Sequence, residues 1–487
     1  MKGQNVSCNK KTNKFDVIKH LLRKVEGLFE VVILTIAYFY VWKGNYRIDE
    51  AAFYGNGKFV LTGIYAFLIF LVFYLCDSFK FGHMRMLDVV ISQFISMFIV
   101  NFITYFQVSL ISNYMVSVLP MIVLTAVDFA LSIILVYIFN KIYRINNVPR
   151  DMVLVYGQDV AVDVKFKIDS RLDKYRITKI ISIDKGFDEI CSEINKHDAV
   201  VINDVPAQIR NDILKYCYDK SIRAYIVPKI SDIIVRGGEE INLFDTPLFM
   251  VKGSGLTIYQ RFVKRAMDIV LSLIALVILS PFMLVIAAAI KIEDGGSVFY
   301  RQDRVTRDGK VFSILKFRSM KVDAESGGYS IPATGEDPRI LKSMRIARRI
   351  RADETANIFN ILRGEMSIVG PRPERVEHVK KYNAEIPEFN YRHKVKAGLT
   401  GYAQIYGKYN TSAYDKVRLD LMYIEKYSIL LDIKIIFMTL RVLLKPEATE
   451  GFEKVEELEK KRKELLTEDK GSEALGDIKE EKKEALV

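Results

Sequence analysis

The chain has 487 residues, half of them hydrophobic, with a mean hydropathy of +0.12 and a formal net charge of +12. That composition excludes global disorder, and the wide separation of Cys8, Cys76, Cys191 and Cys217 excludes a disulfide framework or a CxxC metal knuckle. The five histidines (His20, His83, His197, His378 and His393) show no HxxxH or HxxE spacing, so no helix face gathers ligands for zinc or iron.

The segment from Pro446 onward holds 14 acidic and 9 basic residues, which leaves the rest of the chain at +17. In so apolar a chain this excess fits anionic lipid or an anionic substrate better than nucleic acid, for which no RNP-like or helix-turn-helix pattern is legible.

Four apolar runs come first, over residues 25–42, 59–75, 89–110 and 118–139. Each is near the length that crosses about 30 Å of hydrocarbon at 1.5 Å per residue, and four such runs in succession predict transmembrane helices. No small-x-small cleavage site follows the first run, so a removable signal peptide is not expected. Lys and Arg concentrate before the first run, between the second and third, and after the fourth. The positive-inside rule then places the N-terminus and everything beyond Lys141 in the cytosol. Asp128 interrupts the fourth run, where an ionisable group is either a functional residue or a polar contact within the bundle.

Beyond the anchor, β-like runs at 152–156, 177–183, 199–203 and 224–227 alternate with helix-period segments, the pattern of a small doubly wound sheet. A dinucleotide site needs Gly-x-Gly-x-x-Gly after the first strand. Here a single glycine, Gly157, is followed by Gln158-Asp159-Val160-Ala161-Val162, so structural or regulatory docking is the favoured reading of this module.

Residues 267–290 form a fifth apolar run, with Ser280-Pro281 at its middle and basic residues on both flanks. A proline there removes a backbone hydrogen bond and crowds the preceding turn. Basic flanks on both sides argue against a full span, so the run predicts a helix-break-helix that enters the inner leaflet and returns, with a kinked full span as the alternative. Next, residues 298–305 and 309–320 alternate like paired strands across a glycine turn. Arg345, Arg348, Arg349 and Arg351 then lead into Asp353-Glu354. Guanidinium groups beside two adjacent carboxylates suit phosphates held with a divalent metal; a solvated ion-pair cluster, with Arg349 and Asp353 at i and i+4 on one helix face, is the plainer alternative.

Ordered blocks from about Tyr259 to Leu444 decide between these readings: KRAMDIVLS from Lys264, FYRQDRV from Phe299, LKFRSM from Leu315, ATGEDPRI from Ala333, NIFNILRGEMSIVGPRPE from Asn357, KAGLTGYAQIYG from Lys396, DLMYIEKYS from Asp420 and LDIKIIFMT from Leu431. Over nearly 190 residues the segment closely resembles the bacterial sugar transferases, polyprenyl-phosphate hexose-1-phosphate transferases, in their long form with an N-terminal anchor. Two local departures stand out. The family's usual Asp-Glu-Leu-Pro-Gln reads Asp353-Glu354-Thr355-Ala356-Asn357, and its usual Pro-Gly before the Thr-Gly block reads Ala397-Gly398.

The resemblance implies that Asp353 attacks a nucleotide sugar to form an aspartyl phosphosugar, which polyprenyl phosphate then takes. It implies Glu354 as the partner of Asp353 in holding Mg²⁺, and Lys316, Arg348 and Arg372 as phosphate ligands, although helix phase alone selects Arg349 over Arg348. It also implies a purpose for Ser280 and Pro281, a membrane break that sets the acidic pair at the headgroup level. Tyr391, Tyr402, Tyr406, Lys394 and Lys396, clustered in basic sequence, fit an interfacial surface, with ordinary surface cover as the alternative.

The expected fold class is therefore a mixed membrane protein. It comprises a four-helix transmembrane bundle (1–145), a small Rossmann-like α/β module without a cofactor motif (146–255), an α/β catalytic domain (256–445) with a re-entrant membrane helix (264–291), and a charged tail (446–487). The expected setting is the bacterial inner membrane with the catalytic domain facing the cytosol. The expected partners are a nucleotide sugar, polyprenyl phosphate and the bilayer, with no nucleic acid, and a homodimer through the anchor and module is a further expectation. A nucleotide-sugar dehydratase shares such anchors but needs a nicotinamide site, which the missing glycines disfavour; a non-catalytic scaffold is the remaining alternative.

Overall fold

The computed structural model describes residues 7–46, 57–82, 84–146, 149–157, 161–169, 171–253, 255–321, 339–407 and 411–443. The tail from Pro446, and the ATGEDPRI block apart from Arg339 and Ile340, lie outside these residues. The chain forms two compact units. One holds residues 1–150 with 171–176 and 217–222, and the other holds the remainder.

The first unit contains α1 (Ser7–Asn45), α2 (Gly57–Leu75), α3 (Met86–Ser112) and α4 (Leu119–Asn146), each with a window long and apolar enough to cross a membrane. α1 packs on α2 and α4, and α3 packs on the same two, which closes a four-helix bundle. Its outward side chains, such as Phe59, Phe67 and Phe102, are apolar and exposed, whereas its interior holds fully buried polar groups. Asp128 accepts hydrogen bonds from Tyr65 (3.2 Å) and Asn101 (3.1 Å), and Glu30 accepts from Gln93 (3.0 Å) and Ser132 (3.3 Å). In hydrocarbon a helix has no other way to satisfy such groups, so they cross-link the bundle from inside.

The α/β module, most of it in the second unit, comprises β1 (Arg150–Tyr156), α5 (Ala161–Asp169), β2 (Tyr175–Ser182), α6 (Phe187–Ile194), β3 (Ala199–Asn203), α7 (Ala207–Asp219) and β4 (Arg223–Ile226). The sheet order is β2-β1-β3-β4, with β1, β3 and β4 parallel, as the alternating pattern predicted. β3 is buried on both faces, which explains its unbroken apolar run Ala199-Val200-Val201-Ile202. A Cβ on Gly157 would lie 2.4 Å from the Asp204 carbonyl, so the single glycine after β1 serves close packing against the neighbouring strand end. α8 (Ile230–Arg236) and an antiparallel hairpin, β5 (Glu239–Leu243) with β6 (Thr246–Met250), complete this part.

α9 (Ile258–Asp294) follows, capped by Thr257 and Gln260, and at 37 residues it is about 55 Å long. The expected interruption at Ser280-Pro281 is not seen; the helix continues through Pro281. The carbonyl that Pro281 cannot serve is that of Val277, four residues back, and the Ser280 hydroxyl donates to it at 2.9 Å. Serine thus replaces the lost backbone donor and keeps the helix intact.

The remaining elements are β7 (Phe299–Val305), β8 (Val311–Phe317), α10 (Met344–Arg349), α11 (Asn357–Arg363), β9 (Ser367–Val369), α12 (Val376–Glu385), β10 (Gly398–Thr400), α13 (Tyr402–Tyr406), α14 (Ala413–Glu425) and α15 (Ile429–Leu443). β7 and β8 form the predicted hairpin. Two of the apolar cores in this part position the site. One joins Phe389, Val417, Leu421 and Ile435; the other seats Met283 and Ile290 of α9 against Leu315, Phe317, Met344 and Ala356.

Candidate active site

The acidic pair sits on a 3-10 turn, Ala352–Ala356, between α10 and α11. Arg351, just before it, is left-handed (φ 58°), a backbone state that costs a non-glycine residue roughly 1 kcal/mol or more. The turn packs on β8, with Ala356 buried beside Leu315 and Phe317. Because α10 ends at Arg349 and the chain reverses at Arg351, Arg349 and Asp353 never share a helix. The helix-phase expectation for Arg349 is therefore overturned: Arg349 is exposed, while Arg348 is half-buried, donates to the Ser319 hydroxyl (3.4 Å) and acts electrostatically on Asp353.

Glu354 is the charge centre. Its Oε1 accepts from Lys316 Nζ on β8 and from Arg372 Nη2 in the loop after β9, both at 2.8 Å, and Arg351 lies 4.0 Å from Oε2. Burial alone would raise the Glu354 carboxyl, but Arg372 and Lys316 outweigh it and hold the group well below the usual carboxylate range. Asp353 shows the opposite balance. Burial, and then the Glu354 charge, push it up, and only in part do Lys316 and Arg348 draw it back. Among the described residues no cation lies within 4.0 Å of its carboxylate. One acid of the pair is neutralised by the protein and the other is left for a ligand.

Arg372 owes its place to backbone geometry. Parallel pairing of β9 and β10 is extended by Gly370 N to Thr400 O (2.8 Å) and Gly398 N to Pro371 O (2.9 Å). A Cβ on Gly398 would lie 2.1 Å from Gly370 N, so the glycine retained in Ala397-Gly398 is the indispensable half of that motif. From below, Arg392 donates Nη2 to the Arg372 carbonyl (2.9 Å) and pairs with Asp420 at 2.8 Å, both side chains being fully buried. From the helix side, Asp268 of α9 accepts from the Ser367 hydroxyl and the Ile368 N–H, each at 3.0 Å. Asn360 ties α11 to β8 through Leu315 N and Ser313 O, both 2.9 Å.

A small cleft opens beside Glu354. Arg304, Lys316 and Arg372 supply positive charge, Asn357 an amide, and Ile314, Met366 and Leu399 an apolar wall. Burial, followed by repulsion from Arg372 and Arg375, lowers the Arg304 guanidinium to about 10, against the opposing pull of Glu374 and Glu354. Of the residues expected from the sequence, Asp353, Glu354, Lys316, Arg348 and Arg372 come together here, whereas Ser280 and Pro281 lie within α9. Sequence reading missed Arg304, Asn357, Arg392 and Asp268. Arg304 lies in a quoted strand block and could have been found from strand alternation, which puts it on the face of Gln302.

A divalent cation fits this arrangement as a shared ligand. Among the described residues no three His, Cys, Asp or Glu side chains converge, so there is no protein cage. Mg²⁺, however, is commonly held by one or two carboxylates with phosphate oxygens and water, and the unpaired Asp353 with Glu354 Oε2 offers that set.

Next to Arg392, the buried His393 ring has its titration lowered from 6.5 to about 4 by burial and then by Arg392. The unfolded state therefore takes up the proton first, between those two values, and stability falls as pH drops through that window. The expected loss from pH 6.5 to 4 is at most about 3 kcal/mol. Thermal unfolding in detergent should show this fall and should show it flattened in His393→Gln; an equal fall in both would assign it to other groups.

An acidic pair ringed by lysine and arginine has the charge pattern that phosphate groups bind. The chain belongs to the bacterial sugar transferases, whose family model matches residues 259–446. It is 34% identical over 184 residues to an uncharacterized sugar transferase of Bacillus subtilis, covering 38% of this chain and 88% of that one. It is 36% identical over 260 residues, 51% of the chain and 59% of the relative, to a UDP-N-acetylgalactosamine-undecaprenyl-phosphate N-acetylgalactosaminephosphotransferase of Aeromonas hydrophila. It is 43% identical over 210 residues, 42% of the chain and 43% of the relative, to a UDP-glucose:undecaprenyl-phosphate glucose-1-phosphate transferase of Escherichia coli. The chain thus spans about half the length of the Aeromonas hydrophila and Escherichia coli relatives.

Proposed function

We propose that this protein transfers a sugar-1-phosphate from a UDP-sugar to polyprenyl (undecaprenyl) phosphate, the initiating step of exopolysaccharide, capsule or O-antigen assembly. The observation that carries the reading is the split within the acidic pair: Glu354 engages Lys316 and Arg372, while Asp353 is half-buried with no counter-ion among the described residues.

In the first step an Asp353 carboxylate oxygen bonds to the β-phosphorus as the bond from that phosphorus to the bridging oxygen breaks, and UMP departs with the electron pair. In the second, an oxygen of polyprenyl phosphate bonds to the same phosphorus, the acyl-phosphate bond breaks, and Asp353 is free again. The product is a polyprenyl diphosphate sugar. Mg²⁺ held by Asp353 and Glu354 would supply charge neutralisation at the phosphoryl oxygens. Lys316 and Arg372 bind those oxygens, and Arg348 stabilises the Asp353 carboxylate from behind.

The catalytic segment works at the inner leaflet of the bacterial inner membrane, on its cytosolic side. Both ends of α9 hold the same folded segment, which supports a helix that does not carry the chain across. Lys264 pairs with Asp432 (2.6 Å) and Arg265 donates to Leu362 O (2.7 Å) at one end; at the other, Glu293 accepts from Lys342 N (2.7 Å) and Asp294 pairs with Arg318 (2.8 Å). Shared contacts of this kind favour placing both ends on one side of the bilayer. Exposed Tyr391 and Tyr406, with Lys394 over the Tyr391 ring, suit the interface.

The test is to incubate membranes holding the protein with a panel of sugar-labelled UDP-sugars and Mg²⁺, without polyprenyl phosphate. One sugar is expected to release UMP once per protein and leave its label on the protein, and added polyprenyl phosphate should transfer the label to lipid. If no UDP-sugar releases UMP, a non-catalytic scaffold is the better reading.

A further inference from the structure

Asn357 opens α11, three residues beyond Glu354 across the 3-10 turn. At 3.0 residues per turn, side chains three apart eclipse one another, so Glu354 and Asn357 share a face and line the same cleft. Asp353 is turned away from that face by about 120°. Asn357 is 1% exposed, and its Oδ1 is buried with no hydrogen-bond partner. A buried acceptor left empty is unfavourable unless something fills it. The group that fills it must be a donor.

We propose that Asn357 is a specificity-determining residue that accepts a hydrogen bond from a hydroxyl or amide N–H on the sugar of the nucleotide sugar. This rests on the transferase reading above. An in-line displacement puts Asp353 and the departing UMP on opposite sides of the phosphorus, so the oxygen that carries the sugar projects sideways. The cleft beside Glu354, which Asp353 does not line, combines Lys316 and Arg372 with Ile314, Met366 and Leu399. The neighbouring cations have no use for an acceptor on a phosphate, since phosphate oxygens are acceptors themselves. A sugar donor is the remaining partner within reach of the reacting phosphorus.

The experiment measures kcat/KM for UMP release, with the full-length protein in membranes, for the preferred UDP-sugar and a set of its analogues each lacking one hydroxyl or amide group. Wild type is expected to disfavour one analogue by about 10- to 100-fold, and Asn357→Leu to shrink that ratio towards 1 while leaving the ratios for the other analogues in place. Ratios within one variant do not depend on how much of it is folded. Should Asn357→Leu lack all activity, Asn357→Gln, which keeps the amide but shifts its oxygen, is expected to change the same single ratio. Equal loss on every analogue in the variant, or no change at all, would overturn the assignment and leave Asn357 a packing residue. UMP release by wild type from any UDP-sugar keeps the transferase reading intact in either case.

Discussion

Asp353→Asn should lower UMP release from the preferred UDP-sugar by about 10⁴-fold and leave no sugar label on the protein. The amide is nearly the same size, makes no new charge in a site already rich in cations, and removes the like charge beside Glu354, so the unfolding temperature should hold or rise. Asp353→Glu tests position separately from charge. It keeps the carboxylate but pushes it one methylene outward, and a misplacement of that size is expected to cost about 10²-fold. The ordering matters: if the neutral amide and the longer acid were equally tolerated at this position, polyprenyl phosphate would be attacking the nucleotide sugar directly, in one displacement. An Asp353→Asn enzyme that keeps more than about 1% of wild-type release would establish that alternative.

How far the sequence foretold this site depended on whether a contact was local or distant. The strands of the α/β module and the β7–β8 hairpin were legible because each is a run of regular periodicity bounded by turn residues. Asp353, Glu354, Lys316 and Arg372 were legible through resemblance, since Lys316 and Arg372 lie 38 and 18 residues from the Glu354 they meet. No spacing rule reaches that far.

Three features were hidden for distinct physical reasons. The helix continues through Ser280-Pro281 because one hydroxyl replaces one lost N–H, a compensation that proline statistics ignore. Arg349 was favoured by a helical i, i+4 rule that fails when a single left-handed residue, Arg351, ends the helix between the two partners. Asn357 was visible only as a departure from a family motif; its empty Oδ1 gives that departure a chemical meaning.

Asp420→Asn is expected to have the largest effect on stability of any single change near the site. Arg392 is 2% exposed and Asp420 1% exposed, and the pair is joined at 2.9 and 2.8 Å through Nε and Nη2. Taking one charge from a buried pair strands the other, which costs about 3–5 kcal/mol, whereas the intact pair contributes far less than that to net stability. Glu374 cannot take over fully: it lies 3.9 Å from Arg392 Nη1, and it already accepts from Lys416 at 3.3 Å. The consequence for activity runs through backbone. Arg392 also holds the Arg372 carbonyl, so a displaced Arg392 loosens the loop that brings Arg372 to Glu354. A rise in KM for the UDP-sugar of about 10-fold or more, larger than any fall in kcat, is the signature of weakened phosphate holding rather than lost chemistry. Asp420→Glu, which preserves the charge, should recover part of both effects. An unfolding temperature unchanged in Asp420→Asn would show that Arg392 finds its counter-charge in Glu374, and the coupling from the buried pair to Arg372 would then be absent.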